Sequence, residues 1–182
     1  MDSFTPTTKT QAAMTAALQS ASSAGNPDIR PAHLLVALLD QTDGIAAPPL
    51  LKAVGVDPPT GVHREAQAIV DRLPKTTGAS STPPQLGREA LAALTAAQHL
   101  ATEMDDEYVS TEHVLYGLAG GDSDVAQLLV RHGATQDALR EAFTTVRGSA
   151  RVTSPEPEGT YKRWKSTPPT SPKLHVAASS TR

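Results

Sequence analysis

The stretch Ile29-Arg30-Pro31-Ala32-His33-Leu34-Leu35-Val36-Ala37-Leu38-Leu39 returns eighty positions later as Val109-Ser110-Thr111-Glu112-His113-Val114-Leu115-Tyr116-Gly117-Leu118. Both copies space their apolar residues by three and four, the period of a helix with one buried face. Pro31 suits the first turn of a helix, where its missing N–H is not needed. Ser110-Thr111-Glu112 reads as a helix start, with a hydroxyl for the free amides and a carboxylate at the positive end of the dipole. The pair predicts one helix from Pro31 to about residue 40 and its counterpart over 111–119.

Outward from these two segments the register holds. At the same offset Ala13 falls on Ala93, Met14 on Leu94, Ala17 on Ala97 and Ala21 on Ala101. At an offset of 78, Leu50, Leu51 and Gly55 fall on Leu128, Leu129 and Gly133, and at 76 Arg64-Glu65-Ala66 falls on Arg140-Glu141-Ala142. Two differences in loop length account for the drift. The first copy then has helices near 8–24, 31–40, 50–55 and 61–73, the first stopped by Gly25-Asn26-Pro27. The second has helices near 87–104, 111–119, 122–132 and 135–147. The expected fold class is all-α: two tandem four-helix repeats packed as a pseudo-twofold domain, with no strands of consequence. A unit of roughly 70 residues buries only a modest core, which is why the copies should pack on each other. The expected divisions are a first repeat over 4–75, a linker over 76–85, a second repeat over 86–148 and a disordered tail over 149–182. The tail holds five of the fifteen prolines and no periodicity.

Composition agrees with that architecture. Of 182 residues 38% are hydrophobic but only 3% aromatic, so the core is made of Ala, Leu, Val and Ile, which favours close helices over a β-sandwich. With no Cys, a disulfide scaffold, a thiol nucleophile and a thiolate metal site are excluded, and a reducing, cytoplasmic setting fits. The start lacks a basic and apolar leader, and nowhere do eighteen apolar residues run together, so no membrane partner is expected. Residues 1–150 carry 10 Lys+Arg against 17 Asp+Glu, whereas 151–182 carry 6 against 2. An acidic body is a poor partner for nucleic acid.

His33 and His113 occupy equivalent places beside Leu or Val at a helix start. Without further ligands at matching spacing they read as packing or capping groups, and no metal or cofactor is expected. The acidic run Glu103, Asp105, Asp106, Glu107 reads as a solvated loop. Tyr108 and Tyr116 are candidates for the border of an apolar groove between the copies, or for the core.

The two aligned copies, with Asp43-Gly44-Ile45-Ala46-Ala47 and Val146-Arg147-Gly148-Ser149-Ala150-Arg151-Val152, resemble the double Clp repeat domain that opens the Clp/heat-shock AAA+ unfoldases, and most of all its ClpB disaggregase branch. The resemblance covers roughly residues 4–160. It implies a non-enzymatic module that binds misfolded or aggregated protein clients and passes them to an ATPase ring. It also implies client-handling roles for Thr7, Asp106 and Glu112, with Tyr108 beside them. The first-copy equivalent of Glu112 is Ala32, so the paired-Glu phosphoarginine chemistry of the related ClpC branch should be missing. The chain has no G-x-x-x-x-G-K-[ST] and no Gly-Lys pair, hence no phosphate-cradling loop of that type. A free-standing adaptor for a Clp ATPase or protease is the alternative.

Beyond Thr160 the family continues with a helical segment and a K-L-D-P-V run, yet this chain reads YKRWKSTPPTSPKLHVAASSTR. One back-translation with a single added base after the Tyr161 codon restores a family-like continuation ending in K-L-D-P-V. The expectation is that the reading frame changes from Tyr161 onward.

Overall fold

The first helix, α1 (Thr8–Ala24), begins at Thr7, whose Oγ1 accepts the Thr10 N–H at 3.2 Å. It ends at Gly25, where φ is +76°, a left-handed turn that a residue without Cβ takes freely. Eighty positions on, Asp105 makes the same turn with φ +58°, Asp being one of the few side chains that visit this region. The repeat extends to the conformation of single turn residues.

The computed structural model describes residues 4–41, 51–56, 60–76 and 82–147, with Thr153 and Pro155. Among them, α1 is followed by α2 (Pro31–Asp40), a helical turn at residues 51–53 closed by Gly55, and α3 (Thr60–Asp71). The second repeat follows as α4 (Arg88–Glu103), α5 (Thr111–Leu118), α6 (Asp124–Arg131) and α7 (Gln136–Arg147). Of these, α4 and α6 stop one or two residues inside the limits expected for them, because Gly87, Met104, Ser123 and His132 serve as caps and not as helical residues.

Two short backbone pairings join the repeats. The strand β1 (Asp28–Ile29) pairs in parallel with β2 (Gln85–Leu86), Ile29 opposite Leu86, and Pro6 forms a parallel bridge with Val109. At the offset of eighty, Pro6 corresponds to Leu86 and Ile29 to Val109, so the two pairings are one contact made twice. Such reciprocity is what a twofold relation requires. Gln85 closes the stretch read from sequence as linker and Leu86 opens the second repeat, and backbone bonds hold this junction: the Gln85 N–H donates to Pro27 O at 3.1 Å and the Gly87 N–H to Ile29 O at 3.0 Å. Backbone groups entering a packed interface need partners, and the crossed exchange supplies them.

The buried faces of both repeats form one core, with Ala13, Ala17, Ala21, Leu34, Leu35 and Leu38 meeting Ala93, Ala97, Leu115, Leu118, Leu129 and Phe143. Small residues dominate the α1 and α4 faces, which lets α2 and α5 lie close to them. At the rim, Glu65 of α3 takes Arg131 Nη2 at 2.7 Å and His132 Nε2 at 3.2 Å from the second repeat. The His132 hydrogen bond chiefly, helped by the charges of His132 and Arg131, holds its carboxyl below the usual range.

Past α7, Pro155 accepts the Thr8 N–H at 2.7 Å, so the chain returns to the start of α1. Thr153 apart, the remainder of the expected tail, including the expected frame change at Tyr161, and residues 77–81 of the linker lie outside the described residues.

Candidate functional site

The two repeated histidines cap the two central helices. In the first repeat the Arg30 N–H donates to His33 Nδ1 at 2.8 Å. The ring proton therefore sits on Nε2, which donates to Asn26 Oδ1 at 3.0 Å, and Asn26 Nδ2 donates to Pro74 O at 2.9 Å. Each histidine fills the third helical position, where Glu or Gln returns a hydrogen bond in a capping box. In the second repeat the Ser110 N–H donates to His113 Nδ1 at 2.9 Å, and His113 Nε2 bonds Asp106 Oδ2 at 2.8 Å. The Ser110 hydroxyl, expected from sequence to cap backbone amides, takes part in this capping box and also lies 2.9 Å from His113 Nδ1.

Ser110, His113 and Asp106 thus share the connectivity of a nucleophile, base and acid. Ser110 and His113 are both fully buried, and Nδ1 already receives the backbone proton of Ser110. The hydroxyl has no path to a substrate, so the cluster is a structural cap. Burial pushes the His33 imidazole below its usual pKa, and the Arg30 charge acts in the same direction. Among the described residues no group of three or more His, Cys, Asp or Glu side chains could hold a metal ion.

The four residues singled out from sequence gather around this turn. Thr7 is buried, and its N–H donates to Val109 O at 3.0 Å, which brings α1 to the residue after Tyr108. The Asp106 side chain is sealed against His113. Glu112 is buried in the first turn of α5, with Ala32 at its place in α2. Tyr108 is half-buried. The structure assembles the cluster, but three of its four side chains face inward.

The exposed apolar surface lies elsewhere. A groove of about 610 Å³ runs between the repeats, lined by Phe4 and Met14 from the first and by Leu86, Leu91, Leu94, Thr95, Gln98, His99, Thr102 and Glu103 from the second. Met14 and Leu94 are equivalent residues, so the groove crosses the pseudo-twofold. Leu91 is 53% exposed and Leu86 38%. Neither tyrosine lines this groove: Tyr116 packs on the core, with its carbonyl accepting from Gln136 Nε2 at 3.2 Å. Sequence reading missed Phe4, Leu86 and Leu91. The available signal was Leu91 itself, a leucine off the buried stripe of Ala90, Ala93, Leu94, Ala97, Leu100 and Ala101 on α4.

Fold and groove together define a paired helical repeat with an apolar groove at its own symmetry axis. The Clp repeat (R) N-terminal domain family matches residues 5–154, and the chain belongs to that family. It is 74% identical over 162 residues to the chaperone protein ClpB of Mycobacterium bovis, and 67% identical to that of Mycobacterium leprae. In both cases the match covers 89% of this chain and 19% of the relative, so the chain spans about a fifth of the length of these curated relatives. Among solved structures, the Hsp104 N-terminal domain of Candida albicans matches with a TM-score of 0.68 at 20% identity, covering 85% of this chain and 99% of that one. The N-terminal domain of the ClpV1 ATPase of E. coli matches with a TM-score of 0.63 at 18% identity, covering 81% and 89%. These two likenesses are of fold. No described helix is long and apolar enough to cross a membrane.

Proposed function

We propose that the chain is a non-enzymatic client-binding module of a ClpB-like disaggregase chaperone, which captures exposed apolar segments of misfolded proteins and delivers them to an ATPase ring. The observation that carries this reading is the groove with two exposed leucines across the pseudo-twofold. Burying a leucine side chain contributes about 1.5–3 kcal/mol. Two such contacts, set against the cost of ordering a flexible segment, correspond to weak and rapidly exchanging binding. Weak capture suits a module whose role is to pass its cargo on. Thr7, Asp106 and Glu112, buried as they are, act in this reading as positioning residues for the turn before α5, with Tyr108 at its surface.

The test is Leu91→Asp. Half of Leu91 faces solvent, so stability should change by less than about 0.5 kcal/mol, while the affinity for a fluorescent apolar peptide falls roughly tenfold or more, since a carboxylate in the groove must be desolvated when the peptide binds. Val130→Asp, at an apolar residue equally exposed on α6, should leave binding unchanged. Equal peptide affinity in the Leu91 variant and the parent chain sinks the groove reading.

We also infer that the reading frame changes at Tyr161. The 162-residue extent of the match in a chain of 182 supports this. Genomic sequence past that codon should hold a G-x-x-x-x-G-K-[ST] module in the other frame, and its absence there favours the adaptor role.

A further inference from the structure

Gln98 sits on the third turn of α4, on the stripe of positions 91, 94, 95, 98, 99, 102 and 103 that forms one side of the groove. Its Oε1 is buried with no hydrogen-bond partner among the described residues. Its Nε2 only reaches Thr102 Oγ1 at 3.5 Å, the outer limit of such a bond. Turning the amide over does not cure this. The single Thr102 hydroxyl proton is already committed to the Gln98 backbone carbonyl at 3.1 Å, and the reversed amide would bury an NH₂ where the side-chain oxygen had been. Neither assignment of the amide is satisfied by Thr102.

Packing does not demand the amide. At the offset of eighty the first repeat carries Leu18, which is tolerated at the same point of α1. The second repeat thus has an unsatisfied polar group where its twin has an aliphatic one, and that group borders an apolar groove. A buried acceptor left without a donor is costly and calls for a specific explanation.

Building on the groove reading above, we propose that Gln98 is a recognition residue whose Oε1 turns into the groove to accept a backbone N–H from an extended apolar client segment lying over Leu91 and Leu94. A helix cannot serve as this donor, because its N–H groups beyond the first turn are bonded internally. An extended segment carries its N–H groups free along its length. The apolar side chains supply attraction to the leucines, and Gln98 restricts it to unfolded backbone. The groove accordingly distinguishes an exposed stretch of unfolded chain from the apolar face of an intact amphipathic helix.

The test uses the full chain as parent, Gln98→Leu and Leu91→Asp, each titrated by fluorescence anisotropy with an apolar decapeptide and with its twin N-methylated at alternate backbone amides. The parent should bind the unmodified peptide at least about fivefold tighter than the methylated twin. Gln98→Leu should bind both alike and melt no lower than the parent, since it installs the residue of the first repeat. If the parent does not discriminate between the peptides, or Gln98→Leu keeps the parent's preference, the role of Gln98 is overturned while the groove stands. If neither peptide binds, or Leu91→Asp binds as the parent does, the groove reading falls and the role of Gln98 with it.

Discussion

Gly117→Ala should lower stability by about 3 kcal/mol or more, a fall in Tm of roughly 6–12 °C for a domain of this size. A Cβ added at Gly117 would stand 2.0 Å from Ala93 O, 3.0 Å from Ala93 C and 3.2 Å from Ala97 N. All three are backbone atoms of α4, so no side-chain rotation relieves the overlap, and α4 and α5 must separate. Helix propensity works in the opposite direction, favouring Ala over Gly by about 1 kcal/mol, so a net loss isolates the packing. The first repeat supplies the control. Its equivalent residue, Ala37, already carries a Cβ in the buried interface, and Ala37→Gly should cost about 2 kcal/mol, from propensity and the lost buried methyl. Thermal and denaturant melts of the two variants decide the matter, and a Gly117→Ala chain as stable as its parent contradicts the close approach.

Exchanging the partners of the two capping histidines should change how the chain responds to acid. Burial holds the folded-state pKa of His33 below the ordinary 6.5, with the Arg30 charge acting the same way and the Arg30 backbone hydrogen bond opposing. A base whose folded pKa is depressed leaves the unfolded chain binding more protons. Its contribution is therefore complete above about pH 6.5 and is lost as pH falls below that value, at up to about 1.4 kcal/mol per pH unit. The Arg30 guanidinium beside this turn is held by Glu89 at 3.2 Å, so only the Arg30 backbone bonds the ring. Asn26→Asp gives His33 the carboxylate partner that His113 already has, and should flatten the acid loss by favouring the protonated ring. Asp106→Ala should cost about 1.5–3 kcal/mol at neutral pH, the usual price of removing a hydrogen bond to a charged group. Melting temperatures from pH 8 to 5.5 test both. An Asn26→Asp chain with the parent's slope shows that His33 does not control it.

Much of this molecule was legible without coordinates. Spacing alone determines the helices, because an apolar residue every three or four positions has one way to be buried, and the eighty-residue register determines that the structure is made twice. The capping role of His33 and His113 also follows from local position, since a ring three residues past an N-cap can reach the N-cap amide. Tertiary structure decided what each repeat does with its remaining surface. Periodicity gives Leu91 and Gln98 a face on α4 but says nothing about what lies opposite; only the crossing of the repeats, tied by Ile29 with Leu86 and Pro6 with Val109, puts Phe4 and Met14 across from them and leaves the space unfilled. The same crossing turns Thr7, Asp106 and Glu112 inward, because the turn before α5 is buried by the start of α1. Burial at a pseudo-twofold depends on the sum of two distant segments, and that sum exists only once the chain has folded.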